Sequence, residues 1–360
     1  MGAPESGPVD CLIVGGGIAG LTAARELSRL GHSVMIAEMA DHLGGHVAHY
    51  YNLFPIQTLA VDVVKPLVDE VTRSPQVRTL LRSEVIGAAG RFGEFSITTR
   101  DPSGQHTHHA KTLILATGFE IYDMANHVFE YNYSKHPNIL TGSELERIAL
   151  GEHGRGGGGP QGTVTRPSDG RVPESVSFVL CVGSRDETNN VWCCEVGCKV
   201  AINQALHVKE VLGPDVTVTV CLIDIRAHGR LSEEMYRRCR DKGVTFLRGR
   251  PSSIDLLDEH FLSLKVFDQV TQKLLEVRAD LVVLEPTLVP RSGTVLLSEQ
   301  LRIPVGADGF FETQDYFAPV TTATDGLYVA GCTSGTRDIP ATMSHAGLAA
   351  VNVAARLRGH

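Results

Sequence analysis

Residues 9–38 constrain the fold more than any other part of the chain, because they combine an apolar strand, a glycine turn, a helix and a second strand. Gly15, Gly17 and Gly20 have the G-x-G-x-x-G spacing of the βαβ dinucleotide-binding fingerprint. Glu38 ends the second strand, where a carboxylate can accept hydrogen bonds from a ribose. The stretch predicts a nucleotide site, with the first helical residues facing the phosphates: Ile18 and Ala19.

Further glycine turns favour FAD over NAD as the nucleotide. A Gly-Gly pair follows the fingerprint, an Ala-Thr-Gly turn ends a later strand, and a strand, a Gly-Cys turn and a helix lie near the C-terminus. This layout resembles the two-dinucleotide-binding flavoprotein fold of the thioredoxin reductase type, an α/β fold with a discontinuous FAD domain. The alternative is an NAD-only dehydrogenase. The resemblance implies additional FAD-binding positions at Met39, Gly44, Gly45, His46, Val85, Ala116, Thr117, Gly118, Gly331, Cys332, Asp338, Ile339 and Pro340.

A second α/β unit follows a glycine-rich stretch. Its strands and helices alternate, which predicts a parallel sheet. In a disulfide reductase this unit would bind NADPH, yet the glycine pattern is replaced by the sequence CVGSRD. We therefore predict an FAD domain from residues 1–150 and 279–360, a mobile linker over 151–173, and a second α/β unit over 174–278.

Four of the eight cysteines lie close together in this second unit, at Cys181, Cys193, Cys194 and Cys198. Clustered thiols that are not part of a dense disulfide scaffold more often bind metal or carry out redox chemistry than form structural bridges. The candidates are a 4Fe–4S cluster, a structural zinc ion, a redox dithiol and four buried cysteines. Cysteine spacing alone favours the iron–sulfur cluster only slightly over zinc, because the paired C-x-x-C segments of zinc ribbons do not occur.

Longer motifs give a more specific resemblance. The segments FVLCVGSRDETNNVWCCEVGCKVAINQAL, LATGFEIYD and GCTSGTRDIPATMSHA are similar to the A-type subunit of heterodisulfide reductase, as is the chain from about residue 9 to its end. The resemblance implies an oxidoreductase subunit with FAD and a 4Fe–4S cluster, which exchanges electrons with B- and C-type partner subunits. The chain resembles the short A-type subunits of a heterodisulfide reductase-like complex that serves cytoplasmic sulfur oxidation. This resemblance makes a sulfur carrier a further candidate partner.

Two departures from the family pattern affect the ligand assignment. The family usually has Cys-Ser-x-x-Cys-Cys in the cluster segment, whereas here Cys194 stands at the serine position and Gly197 at the first cysteine of the pair. Compared with the family pattern, one ligand has therefore moved by three residues, from position 197 to Cys194. The family also has a cysteine after its Phe-Pro, and the stretch after Phe54–Pro55 contains none. Lys199 follows the last cluster cysteine, where its charge would stabilise reduced flavin; a solvated helix lysine is the alternative.

Composition narrows the partners and the location. Lys and Arg number 33 against 41 Asp and Glu, which gives a net charge of −8 and argues against nucleic acid and anionic membrane surfaces as partners. No apolar stretch is long enough to span a membrane, and the N-terminus lacks a basic segment for export. We expect a cytoplasmic homodimer. The alternative function is a stand-alone NAD(P)H-dependent flavin disulfide reductase.

Overall fold

The computed structural model describes residues 7–124, 131–152, 159–258 and 260–359. The chain divides into two compact units, each built around its own sheet. The first contains Met1–Ala48, Asp62–Glu120 and Val289–His360, and the second contains His49–Val61 and Ile121–Leu288. The chain therefore passes into the second unit twice, first over residues 49–61 and then over residues 121–288.

The secondary structure alternates between strands and helices, as the sequence predicts. The strands are β1 (Val9–Val14), β2 (Val34–Ala37), β3 (Asn52–Leu53), β4 (Thr58–Leu59), β5 (Val77–Leu80), β6 (Glu84–Ala89), β7 (Phe95–Asp101), β8 (Gly104–Leu115), β9 (Phe119–Ile121), β10 (Ile139–Thr141), β11 (Ser175–Val182), β12 (Thr217–Leu222), β13 (Thr245–Arg248), β14 (Pro251–Leu256), β15 (Leu262–Asp268), β16 (Lys273–Ala279), β17 (Leu281–Pro286), β18 (Leu288–Pro290) and β19 (Leu327–Val329). The helices are α1 (Ile18–Arg29), α2 (Ala60–Arg73), α3 (Gly142–Leu150), α4 (Gly197–Leu212), α5 (Ser232–Asp241), α6 (Thr294–Leu301) and α7 (Ile339–Leu357).

The first unit has a sheet in the order β5-β2-β1-β8-β7-β6, with β19 beside the C-terminal part of β8. The strands β5, β2, β1, β8 and β19 pair in parallel, whereas β6, β7 and the N-terminal half of β8 form antiparallel hairpins. The last four residues of β1 and all of β2 are buried, as expected for parallel strands covered on both faces. The parallel arrangement brings the C-terminal ends of β1 and β8 to the same edge.

The second unit has a parallel sheet in the order β10-β17-β11-β12-β13 and a separate antiparallel sheet of β14, β15 and β16. Helix α4 packs beside β11, and 12 of its 16 residues are buried. Helix α3 begins with a capping box, in which Thr141 and Glu144 satisfy each other's backbone N–H groups. The alternation of strands and helices thus places the start of α4 at the C-terminal edge of β11.

The units differ from the predicted boundaries at three places, because residues 49–61, 121–150 and 279–288 lie in the second unit. The last two differences follow from β17, which lies between β10 and β11 and pairs in parallel with both. The predicted linker over 151–173 is only partly described, since residues 153–158 lie outside the described ranges. Its later part packs: Val164 is fully buried, and the buried Arg166 forms an ion pair with Asp280.

Candidate functional site

The glycine fingerprint forms a tight turn between β1 and α1. Gly15 has a φ of +108°, and a Cβ there would collide with the carbonyl oxygen of Ala116. A Cβ on Gly20 would collide with the carbonyl of Gly15, so the third glycine lets α1 approach the turn. Gly17 precedes the first turn of α1 in extended conformation and has no side-chain cap. The N-terminal N–H groups at Ile18 and Ala19 are therefore the kind of donor set that binds a phosphate.

Glu38 lies beside this turn, as the fingerprint predicts. Its carboxylate accepts hydrogen bonds from the Gly16 N–H at 2.6 Å and from the Ala40 N–H at 2.8 Å. Both bonds hold the carboxylate at the C-terminal edge of β2, where a ribose would need an acceptor. Met39 next to it is exposed, and its sulfur accepts a hydrogen bond from Arg291.

The Gly44–Gly45 pair lies against the same turn. The Gly44 N–H donates to the Gly16 carbonyl at 2.9 Å, and a Cβ on Gly45 would lie 2.9 Å from the Gly17 Cα. His46 stacks on Phe119 with ring centroids 4.4 Å apart. Its Nε2 lies 3.1 Å from the Phe119 carbonyl oxygen, which places the half-buried imidazole beside the start of β9.

The Ala-Thr-Gly turn after β8 lies at the same edge of the sheet. The Ala116 N–H donates to the Val14 carbonyl at 2.8 Å, and the Thr117 hydroxyl is hydrogen-bonded to that of Thr333. Gly118 has a φ of +75°, which favours glycine. Val85 lies on β6, where it is half-buried and pairs with Thr99 in the antiparallel part of the sheet.

The C-terminal strand-turn-helix completes this edge. A Cβ on Gly331 would lie 2.7 Å from the Ala19 Cβ, so the turn after β19 touches α1. The Cys332 thiol donates to the Arg337 carbonyl at 3.4 Å. Asp338 caps α7 by accepting from the Ala341 N–H at 2.9 Å, and Ile339 and Pro340 form the first helical turn, which proline suits.

His345 lies in α7 and contacts the turn after β19, and the sequence did not single it out. Its Nδ1 accepts from the Gly331 N–H at 3.0 Å, so its Nε2 carries the proton and donates to the Pro319 carbonyl at 2.8 Å. Burial and the nearby Arg337 lower the pKa of His345 to about 4, so the ring is neutral at physiological pH. A single histidine inside a helix gives no sequence signal for this role, because both partners lie in other segments.

The four clustered cysteines lie between the end of β11 and the first turn of α4. Cys181 is near the end of β11, Cys193 and Cys194 lie in the following loop, and Cys198 is the second residue of α4. Three of them are buried, Cys193 is half-buried, and all four are free thiols. Cys181 has a φ of +60°, which is uncommon for a residue other than glycine. The sheet thus brings to one edge thiols that are separated in sequence.

The loop after β11 retains one glycine where a side chain would clash. Gly183 has a φ of +67°, and a Cβ there would lie 2.6 Å from the Tyr122 ring. The ring of Tyr122 packs against this turn, and its hydroxyl donates to Asn189 at 2.6 Å. The turn after β11 therefore differs from the turn after β1, because an aromatic ring lies against its backbone.

Backbone groups bond to the cysteine sulfurs. The Glu195 N–H donates to the Cys193 sulfur at 3.4 Å, and the Gly197 N–H donates to the Cys194 sulfur at 3.3 Å. The Cys198 thiol donates to the Asp224 carbonyl at 3.7 Å. Hydrogen bonds to sulfur stabilise thiolates and tune iron–sulfur potentials.

The thiols differ in how easily they ionise. The hydrogen bond from Cys194 lowers the pKa of Cys193 to about 5, and the same bond together with burial raises the pKa of Cys194. Burial raises the pKa of Cys198 to about 11 and also raises that of Cys181. One thiolate is therefore available at neutral pH, and the others need a bound cation to lose their protons.

The donor set fits an iron–sulfur cluster in kind and number. Four thiols and two N–H···S bonds lie in one segment of the fold, and a 4Fe–4S cluster takes four thiolates. Among the described residues, no three His, Cys, Asp or Glu side chains are arranged to hold a single metal ion. A cubane is bound at four separate iron atoms, so its ligands surround a volume instead of meeting at one point.

Lys199 and two buried carboxyl groups lie near the start of α4. The side chain of Lys199 is 4% exposed, with its Nζ 3.5 Å from His228 Nε2, so it is not the solvated helix lysine of the alternative prediction. A Cβ on Gly197 would lie 3.8 Å from the Glu285 Cβ, so Glu285 packs against the same helical turn. Burial, and then the charge of Glu146, raises the pKa of Glu285 well above its usual range.

Comparison with known proteins tests the predicted fold. Residues 13–83 match the model of an NAD(P)-binding Rossmann-like domain. Thioredoxin reductase from T. acidophilum superposes with a TM-score of 0.65 at 17% identity, covering 98% of this chain and 99% of that one. The Lactococcus lactis thioredoxin reductase gives a TM-score of 0.64 at 16% identity, with coverages of 98% and 100%. The predicted two-dinucleotide-binding fold is thereby confirmed.

Sequence relatives show a similarity over nearly the whole of this chain. The A-type iron-sulfur subunit of a CoB–CoM heterodisulfide reductase from Methanocaldococcus jannaschii is 30% identical over 93% of this chain and 62% of its own length. The A-type subunit of an H(2):CoB-CoM heterodisulfide,ferredoxin reductase from Methanothermobacter marburgensis is 28% identical over 95% and 63%. A protein from Archaeoglobus profundus, named for its likeness to the A-type subunit of heterodisulfide reductase, is 25% identical over 94% and 65%.

The extent of this similarity matters as much as its degree. The chain spans somewhat less than two thirds of each of these relatives, whereas nearly all of its own residues are matched. All three relatives carry the names of reductases or of reductase-like proteins, which agrees with the predicted oxidoreductase class. The similarity to the A-type subunit of heterodisulfide reductase that the motifs predicted is therefore confirmed over almost the whole of this chain.

Proposed function

We propose that this chain is an oxidoreductase subunit that carries FAD and one 4Fe–4S cluster and transfers electrons within a heterodisulfide reductase-like complex. One observation carries the proposal. The strand-to-helix turn of the first unit has the glycines of a nucleotide site, whereas the corresponding connection of the second unit, with the ends of β11 and α4 that it joins, carries four free cysteines. A chain built in this way would bind its second redox centre where a related reductase binds a nicotinamide nucleotide.

The FAD would be held at the C-terminal edge of the first sheet. The turn at Gly15–Gly20 and the start of α1 supply N–H donors for the pyrophosphate, and the Glu38 carboxylate supplies an acceptor for the ribose. The turns at Gly44–Gly45 and Gly331 pack on the same structure without side chains in the way. The other proposed contacts are Met39, His46, Val85, Ala116, Thr117, Gly118, Cys332, Asp338, Ile339 and Pro340.

The cluster would be held by Cys181, Cys193, Cys194 and Cys198, with N–H groups of the loop donating to sulfur. When bound, the flavin supplies two-electron chemistry and the cluster one-electron chemistry. The chain's own task is to hold the thiolates and to shield them from water, which the burial of three of the four cysteines supports. We also propose that Lys199, a buried cation next to Cys198, favours the reduced flavin.

The names of the relatives suggest the setting. They are subunits of heterodisulfide reductases, so we propose B- and C-type subunits as partners of this chain. We further propose cytoplasmic sulfur oxidation as the process, a sulfur carrier as a further partner, and a homodimeric arrangement. The described residues contain no helix of the length and apolarity needed to cross a membrane.

The test is a spectrum of the full chain purified without oxygen, together with iron and acid-labile sulfide analysis. The proposal expects flavin absorption bands, a broad cluster absorption, and about four irons per chain. A spin-resonance signal after reduction with dithionite would identify the cluster type. Zinc without iron, or flavin without iron and sulfide, would contradict the proposal.

The same sample distinguishes the alternative function. A stand-alone NAD(P)H-dependent flavin disulfide reductase would be bleached by NADPH without any partner protein. The proposal expects no bleaching by NADPH alone, because cysteines replace the second glycine turn. Rapid bleaching by NADPH of a sample without iron would favour the alternative.

A further inference from the structure

Charged side chains next to the four cysteines form a connected group. Arg185 donates two hydrogen bonds to the Asp224 carboxylate, at 2.5 and 3.2 Å, and the Nε of Arg226 lies 3.3 Å from the same carboxylate. Arg250 donates to the carbonyl of Cys181 at 3.2 Å. We call these four residues the arginine frame; it has three positive charges and one negative charge.

Asp224 and Arg185 also contact parts of the cysteine site. The Asp224 carbonyl accepts the hydrogen bond from Cys198, so the residue that pairs with Arg185 also contacts a proposed ligand. The Arg185 N–H donates to the Trp192 carbonyl at 3.0 Å, which holds the residue preceding Cys193. The frame therefore connects β11, the cysteine loop and the end of β12.

The charges act on the sulfurs and not only on one another. Arg250 contacts Cys181 itself through the carbonyl of that residue. Arg185 contacts the residue before Cys193, so both positive charges lie close to proposed ligands. The side chain of Arg185 is 20% exposed and that of Arg226 is 48% exposed, so solvent screens Arg185 less.

A nearby positive charge stabilises the reduced, more negative form of a redox centre, and a nearby negative charge destabilises it. Resting on the proposed function, we propose that the arginine frame sets the reduction potential of the cluster, with Arg185 and Arg250 raising it and Asp224 lowering it. These are positioning and tuning residues, since they surround the ligands without being ligands.

If the Arg185–Asp224 pair only held the cysteine loop in place, as a structural clamp, variants of the two residues would behave differently. Arg185 and Asp224 form one ion pair, so breaking it from either side would loosen the same loop. A clamp would therefore give similar losses in the two variants. Electrostatic tuning gives shifts of opposite sign, because one variant removes a positive charge and the other a negative charge.

The experiment is a redox titration of the full chain, followed by spin resonance, for wild type, Arg185→Gln and Asp224→Asn. We expect a lower cluster midpoint potential in Arg185→Gln and a higher one in Asp224→Asn, with iron content kept in both. Arg185→Lys keeps the charge and should stay nearer to wild type than Arg185→Gln. The control Arg237→Gln breaks the exposed pair with Glu233 on α5 and should shift nothing.

The results separate the inference from the function on which it rests. Wild type without iron contradicts the proposed function. Iron-loaded wild type with shifts of the same sign, or with no shift, in the two variants contradicts the frame alone. If Arg185→Gln loses its iron, Arg250→Gln replaces it, because that arginine lies outside the Asp224 ion pair; an unchanged midpoint there overturns the inference.

Discussion

The turns after β1 and β11 both connect a strand of a parallel sheet to a helix, yet they differ in length and in the residues that they contain. After β1 only residues 15–17 separate the strand from α1, and glycines there let neighbouring backbone segments pack closely on the turn. After β11 residues 183–196 separate the strand from α4, and thiols and charges fill the space. A parallel sheet thus provides an edge for binding, while the residues of the turn decide what binds there.

The largest expected effect is on the cysteine turn. Cys198→Ser removes a proposed ligand from the first turn of α4, so most iron and acid-labile sulfide should be lost while flavin is kept. Metal and flavin analysis of protein purified without oxygen measures this. The control is Cys239→Ala, a buried cysteine of α5 outside the cluster, which should keep its iron. Iron at the wild-type level in Cys198→Ser would remove this residue from the ligand set.

The reciprocal change is in the glycine turn. Gly20→Ala places a Cβ against the Gly15 carbonyl, so the turn must move and flavin binding should fall at least about tenfold, or by roughly 1.4 kcal/mol. Iron content should stay unchanged, and flavin fluorescence on dilution measures the loss. Gly347→Ala is the matched control, because a Cβ there meets no atom within 4 Å. Equal flavin affinity in both variants would contradict the proposed site.

The turn after β11 also differs in its neighbours, because the buried carboxyl group of Glu285 packs against the first turn of α4 and is affected by the charge of Glu146. Above its usual pKa of 4.5 the unfolded Glu285 loses its proton, whereas the folded chain keeps it, so stability falls as the pH rises from there. Glu285→Gln should remove this dependence, which reaches at most about 1.4 kcal/mol per pH unit for one proton. Thermal unfolding from about pH 5 to about pH 8 measures it. The exposed Glu187→Gln should keep the wild-type slope, and an identical slope in Glu285→Gln would show that its carboxyl does not hold the proton.

The smallest expected effect concerns helix starts. Helix α7 is capped by Asp338, whereas no side chain caps α4. Asp338→Ala should lower the free energy of unfolding by about 1 kcal/mol, while Asp338→Asn should change it little. Urea unfolding followed by flavin fluorescence measures the difference. Equal losses in both variants would mean that the charge of Asp338, and not its capping bond, stabilises α7.

The features that the sequence predicted are those that depend on residues close to one another in the chain. The turn at Gly15–Gly20, the acid at Glu38 and the start of α7 at Asp338 follow from local spacing, so the structure places them as expected. The Arg185–Asp224 pair joins residues 39 apart in sequence, and no local pattern marks either residue. The packing of Val164 was missed for a related reason, since a single valine in a polar segment gives no periodicity.

The position of β19 has a consequence for synthesis on the ribosome. This strand pairs with β8, yet Leu327–Val329 emerges after every residue of the second unit has been made. The cysteine-bearing unit is thus the first to have all of its strands available during translation. The sheet of the nucleotide-binding unit can be completed only after Leu327–Val329 has been synthesised.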